Sequence, residues 1–149
     1  MNLEQLLSVK DLQHRSTVTT TPDDTIAGAI GKMVKHDMGA LPVCNDKEEL
    51  IGIVTERDIV RKCYSGSEDC SRYKVKDVMS RKVAVGNAGD DLDYAINVMK
   101  AENIRHLPVV DGTRVIGMIS IKDLLGFKLE QTRTEIRFLS EYISGGSVE

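Results

Sequence analysis

The sequence predicts an α/β (α+β) fold built from two tandem copies of one β-α-β-β-α unit. The copies pack with pseudo-two-fold symmetry, and a C-terminal helix follows them. Two observations predict this fold: an internal repeat with an offset of 66 residues, and the same succession of helical and strand-like apolar patterns in each copy. Of the 149 residues, 41% are hydrophobic but only 4% are aromatic, so we expect an aliphatic core.

The internal repeat consists of short identical runs that recur in the same order. They are Val9-Lys10-Asp11 with Val75-Lys76-Asp77, Leu41-Pro42-Val43 with Leu107-Pro108-Val109, and, after a one-residue deletion in the second copy, Ile51-Gly52 with Ile116-Gly117. This order indicates a duplicated unit. We assign residues 9–63 to repeat 1, 75–126 to repeat 2, 127–146 to an amphipathic C-terminal helix and 64–73 to the linker.

Each repeat contains the same predicted elements. Apolar residues at helical spacing, from Ile26 to Val34 and from Leu92 to Met99, predict the first helix. Two short apolar runs separated by polar turn residues then predict a β-hairpin. Pro42 and Pro108 lie inside these runs, so we expect edge strands, or strands that are paired on one side only at those positions.

A glycine, two apolar residues, a hydroxyl residue and, three positions later, an aspartate end both repeats. The copies are Gly52-Ile53-Val54-Thr55-Glu56-Arg57-Asp58 and Gly117-Met118-Ile119-Ser120-Ile121-Lys122-Asp123. One interpretation is structural, a hydroxyl N-cap and a capping box at the start of a helix. The other is functional, since an ionised carboxylate accepts hydrogen bonds from the vicinal hydroxyls of a ribose. The occurrence of this motif in both copies favours the functional interpretation.

These motifs, with Gly-Ala-Leu-Pro-Val at 39–43 and Arg-His-Leu-Pro-Val-Val at 105–110, make residues 9–125 resemble a pair of CBS domains. The resemblance implies a disc-like module, often dimeric, that binds AMP, ADP, ATP, S-adenosylmethionine or an NAD-type ligand. It also implies two sites, each shared between the repeats. Carried over by position, site A comprises Thr55, Arg57, Asp58, Arg105 and His106, and site B comprises Ser120, Lys122, Asp123, Thr21, Gly39 and Ala40. Because site A then holds more cationic groups, we expect it to be the better phosphate site.

Composition and motifs exclude several other functions. Net charge is −3, with no basic cluster for nucleic acid. No apolar run is long enough for a membrane helix, and no secretory signal pattern is present, so we expect a cytoplasmic protein. Three cysteines without CxxC spacing predict free thiols and no metal site. The sequence contains no Walker loop, GxSxG or HExxH, so we predict no catalytic residues and no required cofactor.

The tail carries apolar residues at alternating spacings of four and three, which predict a short heptad seam. The seam comprises Leu125, Leu129, Thr132, Ile136, Leu139 and Ile143. We expect the helix to end at Gly145-Gly146 and the seam to join two chains in a homodimer. The predicted function is a nucleotide sensor that controls an unidentified enzyme or transporter. The alternative is a structural adaptor or dimerisation module that acts through the tail helix, with the nucleotide cleft vestigial or binding S-adenosylmethionine or NAD.

Overall fold

The computed structural model describes residues 1–9, 18–65 and 70–148. Part of the predicted first element of repeat 1 (residues 10–17) and part of the predicted linker (66–69) lie outside the described residues. The helices are α1 (Leu3–Leu7), α2 (Ile26–His36), α3 (Glu56–Ser65), α4 (Val75–Val78), α5 (Leu92–Glu102) and α6 (Ile121–Val148), with a 3₁₀ turn at Cys70–Arg72. The strands are β1 (Ala40–Cys44), β2 (Leu50–Thr55), β3 (Gly86–Asn87), β4 (His106–Asp111) and β5 (Arg114–Ser120).

The two repeats have matching local structure. In each, an antiparallel hairpin (β1–β2 or β4–β5) follows a helix whose C-cap residue, Asp37 or Asn103, is left-handed with φ 52°. Both hairpins have a register shift at the equivalent place, after Val43 and after Val109. The predicted hairpins and helices are therefore confirmed, and the duplication extends to backbone conformation.

The strands that contain proline differ from the expectation in one respect. β4 is the middle strand of the sheet β3-β4-β5, whereas an edge strand was one of the two predicted options. Its parallel neighbour β3 pairs only with Val109 and Val110, so Pro108 is paired on one side, opposite Met118. In repeat 1 a single parallel bridge, Thr20 to Val43, takes the place of β3.

The hydrophobic cores exchange short helices between the repeats. α4 begins repeat 2, yet Val75 lies fully buried in the core of repeat 1 and its N–H donates to the Asp24 carbonyl at 2.9 Å. α1 precedes repeat 1, yet Leu3, Leu6 and Leu7 are buried in the core of repeat 2. Each core therefore includes residues from outside its own repeat: Val75 from the start of repeat 2 enters the core of repeat 1, and α1, which precedes repeat 1, enters the core of repeat 2.

The motif glycines are closely approached by neighbouring segments. A Cβ at Gly52 would lie 2.8 Å from the backbone oxygen of Ser80, and one at Gly117 would lie 2.7 Å from a methyl carbon of Leu7. Met118, one residue further along β5, is buried in the core of repeat 1. The glycine of each motif thus has a packing role: Gly52 lets the segment after α4 approach the first hairpin, and Gly117 lets α1 approach the second.

Two expectations are wrong, one about the cysteines and one about where the last helix begins and ends. Cys63 and Cys70 form a disulfide instead of remaining free thiols, because the end of α3 and the 3₁₀ turn bring their Cα atoms to 5.5 Å. Cys44 is the free, buried cysteine. The second helix of repeat 2 and the predicted tail helix are one helix, α6, which continues through Gly145 and Gly146 to Val148.

Candidate functional site

A cleft of about 470 Å³ lies between the two repeats. Repeat 1 contributes the end of α2 and the start of β1, and repeat 2 contributes the start of β4, the end of β5 and the first turn of α6. Its lining residues are Asp37, Met38, Gly39, Ala40, Arg105, His106, Met118, Ser120, Ile121, Lys122 and Asp123. The volume is within the range of about 300–1,000 Å³ found for small-molecule sites.

The hydroxyl residue and the aspartate of repeat 2 form a capping box on one wall of the cleft. The Ser120 N–H donates to a carboxylate oxygen of Asp123 at 3.1 Å, and the Asp123 N–H donates to Ser120 Oγ at 3.0 Å. The structural interpretation of the motif is therefore confirmed. This capping role does not exclude a ligand, because a carboxylate has about four acceptor positions and the bond from the Ser120 N–H uses one of them.

His106 lies close to Gly39 across the cleft. A Cβ at Gly39 would be 3.1 Å from His106 Nε2, so a larger residue at position 39 would require the imidazole ring to move. Burial lowers the pKa of His106, the carboxylates of Glu56 and Asp123 oppose that shift, and Arg105 adds to it. The imidazole is therefore mostly neutral at neutral pH, and it becomes a cation only under more acidic conditions.

Two cationic side chains border the same cleft. Arg105 and Lys122 are exposed, and the Arg105 carbonyl accepts a hydrogen bond of 2.8 Å from the Ile121 N–H. That bond holds the Arg105 backbone against Ile121, the first residue of α6, two residues before Asp123. The cleft thus places a carboxylate acceptor and two cations within one small volume, with Met118 and Ala40 as apolar lining.

The structure changes the grouping that was carried over by position. Arg105 and His106 line the cleft with Asp123, not a cleft with Asp58. The reason is the β4–β5 pairing, which places His106 directly opposite Ser120 within repeat 2. The structure does not bring Arg105 to Asp58, and the cations Arg105 and Lys122 lie on the side of site B.

The remaining predicted site residues lie elsewhere. Asp58 forms the same capping box with Thr55, at 3.3 and 3.1 Å, but lines a shallower depression of about 270 Å³ with Arg61, Lys62, Asp77 and Val78. Arg57 is exposed on α3 and lines neither space. Thr21 is also outside the cleft, and its N–H donates to Asp24 at 3.2 Å.

Sequence reasoning missed two features of the cleft. Asp37 and Met38 line it because the left-handed C-cap of α2 turns the chain directly toward β1. The signal was the local sequence, a polar residue between an apolar helix and a strand, which is typical of a left-handed helix terminus. Among residues 1–9, 18–65 and 70–148, no group of three His, Cys, Asp or Glu could hold a metal ion, and no helix is long and apolar enough to cross a membrane.

The CBS domain family matches this chain twice, at residues 9–65 and 75–130. The chain belongs to the CBS domain family. Its two repeats form a CBS pair, or Bateman module, and CBS pairs are regulatory modules. The crystal structure of the CBS domain NE2398 superposes with a TM-score of 0.74 at 35% identity, covering 86% of this chain and 98% of that one.

Two curated relatives indicate the range of proteins that carry similar CBS pairs. The mitochondrial CBS domain-containing protein CBSX3 of Arabidopsis thaliana is 35% identical over 130 residues, which are 85% of this chain and 63% of that protein. This chain therefore spans less than two thirds of the length of that relative. The inosine-5'-monophosphate dehydrogenase of Methanocaldococcus jannaschii is 35% identical over 112 residues, but these are only 21% of that enzyme.

One structural neighbour contains a nucleotide. The crystal structure of CBSX2 in complex with AMP has a TM-score of 0.67 and 22% identity, covering 76% of this chain and 88% of that one. At this identity the likeness is one of fold.

Proposed function

We propose that this CBS pair is a non-catalytic regulatory module that binds an adenine nucleotide, AMP, ADP or ATP, in the cleft between its repeats. The observation that carries the proposal is the convergence of Asp123, Arg105 and Lys122 on one cleft of about 470 Å³. A carboxylate beside two cations matches the two polar ends of a nucleoside phosphate, the ribose hydroxyls and the phosphate.

The chemistry assigns a role to each wall. The carboxylate of Asp123 accepts hydrogen bonds from the ribose hydroxyls, and the Arg105 guanidinium and the Lys122 ammonium face the phosphate. The adenine ring then lies toward Met118, Ala40 and the Gly39 backbone. Gly39 leaves room for His106, which stays neutral at neutral pH and offers one donor and one acceptor.

The family and the AMP complex of CBSX2 support a nucleotide as the ligand class. S-adenosylmethionine and NAD also carry an adenosine ribose, so they compete for the same carboxylate and are the alternatives to test. The absence of catalysis is supported by the match to the dehydrogenase, which covers only 21% of that enzyme. We further propose that the module acts in the cytoplasm as a homodimer and that the nucleotide changes its contact with a regulated enzyme or transporter.

Thermal unfolding tests ligand binding directly. A ligand that binds only the folded state stabilises it by about 2.7 kcal/mol at one hundred times its dissociation constant, so the unfolding midpoint rises with ligand concentration. We expect a rise with AMP, ADP or ATP and none with inorganic phosphate, the control for non-specific anion binding. A constant midpoint with these nucleotides, NAD and S-adenosylmethionine at millimolar concentration contradicts the proposal.

The second candidate function is a structural adaptor, and the exposed distal half of α6 favours it. Within residues 121–144 of α6, Gln131 is the last half-buried residue, so a chain truncated after Gln131 removes the exposed segment and keeps Phe127 against the core of repeat 2. An adaptor loses its partner in a pull-down with this truncated chain while its folded core remains. Equal partner recovery with both chains rejects the adaptor.

A further inference from the structure

Residues 132–144 of α6 are not buried against their own chain. The helix has 28 residues and is about 42 Å long at 1.5 Å per residue. Lys128 pairs with Asp93 of α5 at 3.0 Å, and Gln131 is the last half-buried residue before the exposed stretch. Every residue from 132 to 144 is exposed.

This exposed segment carries five large apolar side chains. They are Ile136, Phe138, Leu139, Tyr142 and Ile143, each between 57% and 71% exposed. An isolated helix as short as segment 132–144 is marginal in water, because most helical stability in proteins comes from packing of an apolar face. The segment therefore needs a partner that covers this face.

We propose that the partner is the same segment of a second copy, packed antiparallel so that the two helices cross between residues 137 and 138. In this arrangement Ile136 packs against the partner's Leu139, and Leu139 against the partner's Ile136, about the two-fold axis. Ile143 covers the partner's Thr132 at each end. The four layers use only residues that are exposed in the single chain. The inference rests on the proposed homodimer and does not depend on the nucleotide.

Charges beside the seam, and the position of Thr132 within it, disfavour three other pairings of these helices. A parallel pair in register places Lys128 opposite the partner's Arg133, a contact between like charges. An antiparallel pair shifted by one heptad places Glu135 opposite the partner's Glu135 and Arg133 opposite the partner's Arg133. A further shift in the same direction puts Thr132 in both central layers and separates Leu139 from Ile136.

The proposed crossing places Glu135 opposite the partner's Tyr142, so the charge at position 142 tests it. Tyr142→Lys gains two attractive contacts with Glu135, and Tyr142→Glu gains two repulsive ones. We expect the Lys variant to dimerise about tenfold more tightly than the Glu variant. In a Glu135→Lys background the order of the two variants reverses.

Sedimentation velocity at low ionic strength measures these dissociation constants on the full chain, and circular dichroism checks that the variants keep their helix content. The matched controls, Thr134→Lys and Thr134→Glu, make the same charge changes on the outer face of the helix and leave the dissociation constant within about twofold. The proposal is supported if Tyr142→Lys dimerises more tightly than Tyr142→Glu in the wild-type background and less tightly in the Glu135→Lys background.

Equal constants for the two position-142 variants, or an order that does not depend on residue 135, overturn the antiparallel crossing and leave a homodimer through another face. A wild-type chain that remains monomeric at millimolar concentration overturns both the crossing and the homodimer. Thermal unfolding with AMP still tests the nucleotide proposal in either case, so the two failures are distinguishable.

Discussion

Replacing Asp123 by alanine removes the proposed ribose acceptor from the cleft. A hydrogen bond to a charged group contributes about 1.5–3 kcal/mol, so loss of one such bond weakens AMP binding about ten- to hundredfold. Asp123 also closes the capping box with Ser120, at 3.1 and 3.0 Å, so the substitution costs a further ~1 kcal/mol of folding stability. The two effects are measured separately, by calorimetric titration with AMP and by urea unfolding.

Asp58→Ala is the matched control for that experiment. Asp58 forms the same capping box with Thr55, at 3.3 and 3.1 Å, but it lines the shallow depression outside the cleft. We expect both variants to lose a similar amount of stability, while only Asp123→Ala loses AMP affinity. If Asp58→Ala abolishes AMP binding and Asp123→Ala does not, the assignment of the site is refuted. If neither variant changes affinity, the capping box is the motif's whole role.

Three further outcomes follow from the cleft and from the polar contacts near it. Arg105→Ala is expected to weaken AMP binding more than adenosine binding, because the guanidinium faces the phosphate; equal losses in calorimetry contradict that role. Gly39→Ala brings a Cβ to 3.1 Å from His106 Nε2, so we expect weaker AMP binding, seen in the same titration, with a shifted His106 ring resonance in NMR. The pKa of Asp24 is lowered first by the hydrogen bond from the Thr20 hydroxyl, at 2.6 Å. Its ionised form therefore stabilises the fold above the usual pKa of 3.8, and that stability is lost as pH falls through the lowered value. Urea midpoints between about pH 5 and about pH 2 should fall less steeply for Asp24→Asn than for the wild type.

The duplicated fold could be predicted from sequence because the signals were local and occurred twice. The hairpins, both first helices and the capping boxes at Asp58 and Asp123 all depend on residues within a few positions of each other. The exchange of α1 and α4 between the cores could not be predicted in this way. Short apolar segments such as Leu3–Leu7 carry no information about which of two similar cores they enter.

The residue content of the candidate site was largely predicted, and its grouping was not. Ser120, Lys122, Asp123, Gly39 and Ala40 do meet at one cleft. The structure places Arg105 and His106 beside Asp123 and not beside Asp58, because His106 begins β4, Arg105 precedes it, and the antiparallel partner of β4 in the same repeat ends at Ser120. Similarly, the spacing of Cys63 and Cys70 could not predict their disulfide, since it depends on how the chain returns after α3.

The central claim is that an adenine nucleotide binds in the cleft between the repeats, on the side of Asp123. A crystal structure of the chain grown with AMP tests it most directly. The account predicts the ribose hydroxyls within hydrogen-bond distance of the Asp123 carboxylate and the phosphate beside Arg105 and Lys122. AMP bound at Asp58 with this cleft unoccupied, or no AMP at either aspartate at saturating concentration, contradicts it.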